Sequence, residues 1–433
     1  MKLRRSLCLL GATAFTVVRS MAECGLIQIV VMLIAILALG GLASCGASAG
    51  EGTVVLPPFN MYWSVAVADL NGDGRLDIVV SYSKIAGPPP HPGVVAVLFQ
   101  DAASPGNFLP PVTYDVGNDP VALAIGDLNG DGKPDIVTAN TIMNADGTGS
   151  SSVSVLLQDP ANPGQFLSAA SYSTGFSPVG VAIGDLNGDG MPDLAVADTT
   201  GISLLMQYPA ALGTFMAATT ISVGNGGTSA VAIADLDGDG RADLVASTSS
   251  GVNVYLQDPT SPGRFLSPMI CKAGEQPIFI AIQDLNGDGR PDLAVANYGT
   301  PDDGSTASLS VLLQSTSGAG VFLPATNYTT GIRSSVVVAA DLNGDGKADI
   351  VVANSGDLSG SSVSVFLQDP LAPGTFPLAT NYAENNVVSW VAVGDMNGDN
   401  KPDLVIVANG VEIRPQDPAN PGQFLSPVVI ASE

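Results

Sequence analysis

Asp69-Leu70-Asn71-Gly72-Asp73-Gly74-Arg75-Leu76-Asp77 decides the fold, because this stretch returns six times, beginning at Asp127, Asp185, Asp235, Asp284, Asp341 and Asp395. Each copy has an acid at positions 1, 5 and 9, Asn or Asp at position 3 and Gly at position 6, except that Asn400 stands there in the last copy. Oxygen-bearing side chains at alternate positions, with a residue between them that tolerates a left-handed turn, are what a Ca²⁺ loop requires. Without a cation, the carboxylates of one loop repel each other.

The candidate ligands follow position by position. Position 1 supplies Asp69, Asp127, Asp185, Asp235, Asp284, Asp341 and Asp395, and position 3 supplies Asn71, Asn129, Asn187, Asp237, Asn286, Asn343 and Asn397. Position 5 supplies Asp73, Asp131, Asp189, Asp239, Asp288, Asp345 and Asp399, and position 9 supplies Asp77, Asp135, Asp193, Asp243, Asp292, Asp349 and Asp403. With the carbonyl of position 7 and water, these give the oxygen shell of one Ca²⁺ per loop. An EF-hand is excluded, because its bidentate Glu at position 12 is replaced by Val80, Thr138, Val196, Ala246, Val295, Val352 and Ile406, and a β-branched strand follows the loop where a helix is needed.

The loops recur every 49 to 58 residues, so the 433-residue chain reads as one repeat array, not as two or three domains. Charged residues are only 13% while Gly (50) and Pro (31) abound, as suits short buried strands joined by tight turns. The formal charge of -25 sits mostly in the loops, which hold 22 of the 40 acids. Seven Ca²⁺ would return 14 positive charges, so the acidity reads as a metal-binding balance, and 15 Lys and Arg make no basic stripe for nucleic acid.

Residues 1–44 read as an export signal: Lys2, Arg4, Arg5 and Arg19 precede an apolar run over residues 25–43. Its ending, Leu42-Ala43-Ser44-Cys45, resembles the bacterial lipobox, which implies that Cys45 becomes the lipidated first residue at the cell envelope. An uncleaved membrane span and a plain cleaved signal stay open. Residues 45–63 then form a linker with a possible edge strand at residues 53–56, and residues 64–433 form the array, with units starting near 64, 121, 179, 229, 278, 335 and 389. Cys271 is left alone once the leader is gone, so no disulfide braces the domain.

Each unit parses into four strands; in the second these are Val121–Gly126, Asp135–Ala139, Val153–Leu157 and a stretch from Phe166 to about Tyr172. The turn glutamine (Gln100, Gln158, Gln207, Gln257, Gln314, Gln368, Gln416) always precedes a phenylalanine by eight residues, so the length variation falls between the second and third strands. Seven four-stranded units that cannot bury both faces alone are satisfied by radial packing as an all-β, seven-bladed propeller of antiparallel blades. The Asp-x-Asn-x-Asp-Gly-x-x-Asp loop between strands one and two, with Gly-x-Phe opening strand four, resembles the FG-GAP (VCBS) repeats of the integrin alpha-subunit propeller. That resemblance spans residues 64–431 and implies a calcium-binding adhesion or ligand-binding module.

Chemistry is sparse. The only histidine is His91, there is no Gly-x-Ser-x-Gly elbow, and the uncommitted acids Glu51, Asp119, Glu275, Asp302, Asp303 and Glu384 are scattered over different units, which argues against an enzyme. The partner expected is an extracellular protein or a glycan, bound by a monomeric propeller. Meander topology puts the metal loops and Gln turns on one face and the variable connections on the other. On that second face Tyr62, Trp63 and Trp390 are candidate ligand contacts near the junction of units one and seven, the alternative being that they plug the channel or pack the seam. The second-to-third-strand loops are expected to be long in units one, two, five and six, raising two walls around them.

Overall fold

The computed structural model describes residues 54–55, 60–85, 90–141, 151–224, 226–300, 307–357 and 360–432. The signal, Cys45, Glu51, Asp302 and Asp303 lie outside the described residues. Seven sheets follow one another along the chain, each an antiparallel meander of four consecutive strands. We number blades one to seven along the chain and strands one to four outward from the channel.

The first strands are Asn60–Ala68, Pro120–Gly126, Gly180–Gly184, Ala230–Ala234, Pro277–Gln283, Ser334–Ala340 and Trp390–Gly394. Each touches the first strand of the blade on either side, and Trp390–Gly394 touches Asn60–Ala68 to close the ring. Second and third strands are buried along nearly their whole length, as in Asp135–Asn140 and Ser152–Leu156, because both faces of a middle strand pack on neighbouring blades. Val, Leu, Ile and Ala fill most of these positions. The core therefore lies between blades: Val79, Val95 and Val97 of blade one pack with Ile136, Leu156 and Phe166 of blade two. The closing seam is built alike, from Ile78, Val80 and Tyr82 against Val405, Val407 and Ile413.

Fourth strands differ from the sequence expectation. In blade two, Phe166 makes one isolated bridge to Gln158, and the strand proper is only Ala170–Ser173. The gap between bridge and strand carries Pro110, Pro268, Pro324 or Pro427 in other blades, residues that cannot donate to a ladder. Blade six loses the bridge altogether. Elsewhere the residue after the phenylalanine donates its N–H across the turn, as Leu167 does to Leu157 O at 2.8 Å, but blade six has Pro377 there.

Blade seven is closed from both termini. Its fourth strand is Val428–Ser432, and Val54–Val55 lies outside it in parallel, pairing with Ala431 and Ser432 as a fifth strand.

Candidate functional site

The seven loops share one geometry. In the first, Asp69 Oδ1 accepts the N–H groups of Gly72 (2.7 Å) and Asp73 (3.1 Å), and Oδ2 accepts that of Gly74 (2.8 Å). Asn71 Oδ1 accepts the Asp73 N–H and Asp73 Oδ1 that of Arg75, both at 2.9 Å. These bonds curl the loop around its own oxygens. The 2.7 Å bond from the position 4 N–H to the position 1 carboxylate recurs in the other six loops. The curl needs left-handed backbone at position 6, where Gly74 has φ 84°; Asn400 takes φ 62° there, a conformation that Asn tolerates better than most residues.

Position 9 has a second duty that sequence reasoning missed. Asp135 is buried, its Oδ2 accepting the Leu128 N–H (2.8 Å) and its Oδ1 the Gln158 N–H (2.7 Å). One carboxylate thus pins the loop to the turn that opens strand four. Asp77, Asp193, Asp243, Asp292, Asp349 and Asp403 do the same, accepting from Gln100, Gln207, Gln257, Gln314, Gln368 and Gln416. Burial, and then the neighbouring acids at positions 5 and 1, push the carboxyls of Asp77, Asp135, Asp193, Asp292, Asp349 and Asp403 up to about 6. Asp243 is raised likewise, by burial and then by Asp237 and Asp239.

The acids crowded at positions 1, 5 and 9 would be relieved by a cation. In the fourth loop, carboxylate oxygens of Asp235, Asp237 and Asp239 lie within 4.8 Å of one another, the only such acid group among the described residues. In three loops the protein's own cation leans on position 5: Arg75 on Asp73 at 3.7 Å, Arg290 on Asp288 at 2.5 Å, and Arg241 on Asp239. Oxygen donors without nitrogen or sulfur, on a preformed turn, suit a hard divalent ion. Positions 1, 3 and 5 offer side-chain oxygens on that turn, and position 9 offers a carboxylate already holding two N–H groups.

The turn glutamine links each loop to the next blade. Gln158 Nε2 donates to Pro134 O in its own loop and to Leu70 O in the loop of blade one, both at 3.0 Å, while Oε1 accepts the Gly164 N–H at 3.2 Å. The cross-blade bond recurs from Gln207 to Leu128 O, Gln257 to Leu186 O, Gln314 to Leu236 O, Gln368 to Leu285 O and Gln416 to Leu342 O. Gln100 completes the circle on Met396 O at 2.9 Å, across the seam. Gly164, at φ 78°, has no room for a side chain: a Cβ there would meet Phe99 at 2.9 Å and Asn71 Cβ at 3.2 Å. Each turn is seated on the aspartate loop of the blade before it.

On the opposite face the aromatic expectation is corrected. Tyr62 and Trp63 are each only 4% exposed. Tyr62 packs on Tyr82 (5.5 Å between centroids), and Trp63 lies where the register shifts between Tyr62 and Ser64, its Nε1 donating to Ser83 Oγ at 2.8 Å. An added residue at such a shift re-aims its side chain, and here it goes inward. Trp390 is half-buried and meets Phe279 of blade five edge-on at 5.1 Å, past the intervening first strand of blade six. Among the described residues these three side chains pack the seam and the channel. His91 and Asp119 also sit inside, His91 Nδ1 lying 3.4 Å from Asp119 Oδ1, with burial pushing the Asp119 carboxyl up. Glu384 is held by Arg414 at 2.6 Å.

The second-to-third-strand connections do vary. They span residues 85–92, 141–151 and 298–307 in blades one, two and five, but only two residues in blades three, four and six and one in blade seven. Blade six departs from the expected loop because its extra residues extend the strands themselves, Asp349–Asp357 and Gly360–Phe366, as a projecting hairpin.

No curated protein sequence matches the chain. Similar solved structures include an Agrocybe aegerita lectin whose description concerns recognition of non-reducing terminal N-acetylglucosamine (TM-score 0.48, 21% identity, 75% of this chain and 80% of that one). The exotype rhamnogalacturonan lyase YesX (TM-score 0.47, 13% identity, 84% and 73%) and the Bacillus licheniformis rhamnogalacturonan lyase PL11 (0.45, 14%, 81% and 70%) are similar too. The FG-GAP-like repeat model matches residues 142–196, 185–246, 235–295, 284–352 and 341–406, and the FG-GAP repeat model matches residues 61–98 and 120–156. Successive matches of the FG-GAP-like model overlap on the aspartate loops, and the two models together run through most of the ring, so the chain belongs to the FG-GAP repeat family.

Proposed function

We propose that this is an exported, envelope-anchored calcium-binding propeller that holds an extracellular protein or glycan on the face opposite its metal loops. The observation that carries the reading is the division of labour between faces. One end of the ring repeats the same loop and turn seven times, and the other end carries connections of one to eleven residues. A uniform scaffold with unequal loops on one side is how binding surfaces are commonly built.

Calcium, held by positions 1, 3, 5 and 9 and the position 7 carbonyl, would neutralise each acidic loop and fix the turns that clasp neighbouring blades. The leader and Cys45 would tether the ring to the envelope. Binding without catalysis is favoured because Glu384 is committed to Arg414 and Asp119 is enclosed beside His91, which leaves neither free to work as half of an acid pair.

The test is a glycan array and a panel of envelope and host-surface proteins, probed with the full chain in Ca²⁺. A companion variant has the connections of blades one, two and five cut to two residues. Binding that disappears in the variant while its melting curve is unchanged supports the reading. Binding that the variant retains, or turnover of a polysaccharide by the intact chain, contradicts it.

A further inference from the structure

The seven repeats act as internal controls for one another, and blade six breaks the pattern on its outside. Leu371, in its turn, stands where the other blades have Ala103, Ala161, Ala210, Thr260, Ser317 and Ala419. Leu378 stands where they have Pro110, Ser168, Ala217, Ser267, Pro324 and Ser426. Leu371 is 93% and Leu378 87% exposed, whereas the next most exposed large apolar side chain among the described residues, Ile270, is 58% exposed. Folding gains nothing from either leucine. The neighbouring outer strand of blade seven adds exposed Val428 and Val429 behind Leu425, where the outer strands of blades two, three and five offer Ser171, Thr220 and Asn327.

The same sector receives the N-terminus. Val54–Val55 pairs in parallel with Ala431 and Ser432, so Val54 is the end of the pair nearer Val428. Only nine residue steps separate Val54 from Cys45, a reach of at most roughly 32 Å. Ahead of Cys45 lies the apolar run of residues 25–43. Whether the chain is held by a lipid on Cys45 or by that run, the bilayer is within one short tether of the most exposed apolar side chains on the ring.

We infer that the outer rim of blades six and seven, at its metal-loop end, rests on the lipid surface through Leu371 and Leu378. This directs the variable face away from the membrane. The inference rests on the anchored reading proposed above. Exposed apolar groups beside a tether add to membrane binding because the tether already supplies the proximity, so two leucines suffice where a free domain would need a larger patch.

The experiment uses the full chain reconstituted in zwitterionic phosphatidylcholine vesicles, with single substitutions Leu371→Trp, Leu378→Trp and, on the rim of blade three across the ring, Leu212→Trp. All three sites are at least half exposed, so the larger ring is accommodated, and native Trp63 and Trp390 add only a constant background. Brominated lipid should quench L371W and L378W severalfold more than L212W, with a blue-shifted emission at the first two. Equal quenching at all three sites, or none while the chain floats with the vesicles, overturns the orientation. A chain that does not float overturns the anchoring and this inference with it. A dimer that Leu371→Ser with Leu378→Ser converts to monomer would instead seat a second copy on the rim, and would also overturn it.

Discussion

Gln158 offers a sharp test of how the ring is held together, because replacing it removes three polar contacts and almost no apolar packing. Its side chain is buried, with Nε2 shared between Leu70 O of blade one and Pro134 O of its own loop, both at 3.0 Å, and Oε1 taking the Gly164 N–H. Gln158→Ala leaves two carbonyls and one N–H without partners. Each costs about 1–3 kcal/mol when it stays buried, but the space vacated admits a water that restores part of the loss. We expect a cost of about 3 kcal/mol. Gln158→Leu keeps the volume and admits no water, so the full penalty remains, about 4–6 kcal/mol. The order is the informative part: if apolar packing governed this site, Leu would be better than Ala. Equilibrium unfolding in urea with saturating Ca²⁺, followed by Trp63 and Trp390 fluorescence and by circular dichroism, reads both values. A Leu variant more stable than the Ala variant, or an Ala cost below about 1 kcal/mol, would refute the clasp.

Other expectations follow from the same loops. Asp193→Asn turns a carboxylate that accepts from both Leu186 (3.0 Å) and Gln207 (2.7 Å) into an amide whose NH₂ must face one of those N–H groups, and should cost about 2 kcal/mol in thermal or urea unfolding. Asp237→Asn removes one of three close carboxylates but keeps the position 3 oxygen that Asn offers in the other six loops, so calorimetry should find the metal-free protein no less stable than before and the stabilisation by Ca²⁺ smaller; an unchanged calcium increment would show that the extra carboxylate charge adds nothing to the site. Pro377→Leu returns to blade six the N–H that the other blades use across the turn. It should add about 1 kcal/mol and give residue 377 a slowly exchanging amide, detectable by hydrogen exchange.

Much of the architecture was legible because the repeat tests itself. One aspartate loop is a weak signal, whereas seven in register, each with Gln eight residues before Phe, fix blade number, strand order and the face on which the loops lie. Side-chain direction was less legible. The acid at position 9 has the spacing of a calcium ligand whether its oxygens face a cation or the N–H groups of Leu128 and Gln158, so its bracing role is visible only in three dimensions. The tandem Tyr62-Trp63 pattern marks no direction either, and a register shift decides that both rings turn inward. Blade six reads as having a long loop because an insertion and a strand extension have the same length. Its second strand continues to Asp357 since Asn354 pairs with Ser362 and Asp357 with Gly360 across the hairpin. The edge-on contacts of Tyr114 with Phe166 (5.4 Å) and Tyr382 with Phe424 (5.8 Å) went unseen, although the Tyr that recurs one or two residues before the end of the fourth strand in blades one, two, five and six was their signal.

Calcium in the seven loops is the central claim, and a melting curve in Ca²⁺ against one in excess chelator tests it most directly. If each site binds at about 10⁻⁴ M, within the range of extracellular modules, about 1 mM Ca²⁺ stabilises each by roughly 1.4 kcal/mol and seven independent sites by about 10 kcal/mol. With an unfolding entropy of about 2.1 cal/mol/K per residue over the ring, that corresponds to a rise in Tm of roughly 13 °C. Direct titration should return close to seven Ca²⁺ per chain. Superimposable curves in Ca²⁺ and chelator would contradict the account, leaving the aspartate loops as hydrogen-bonded turns that need no metal.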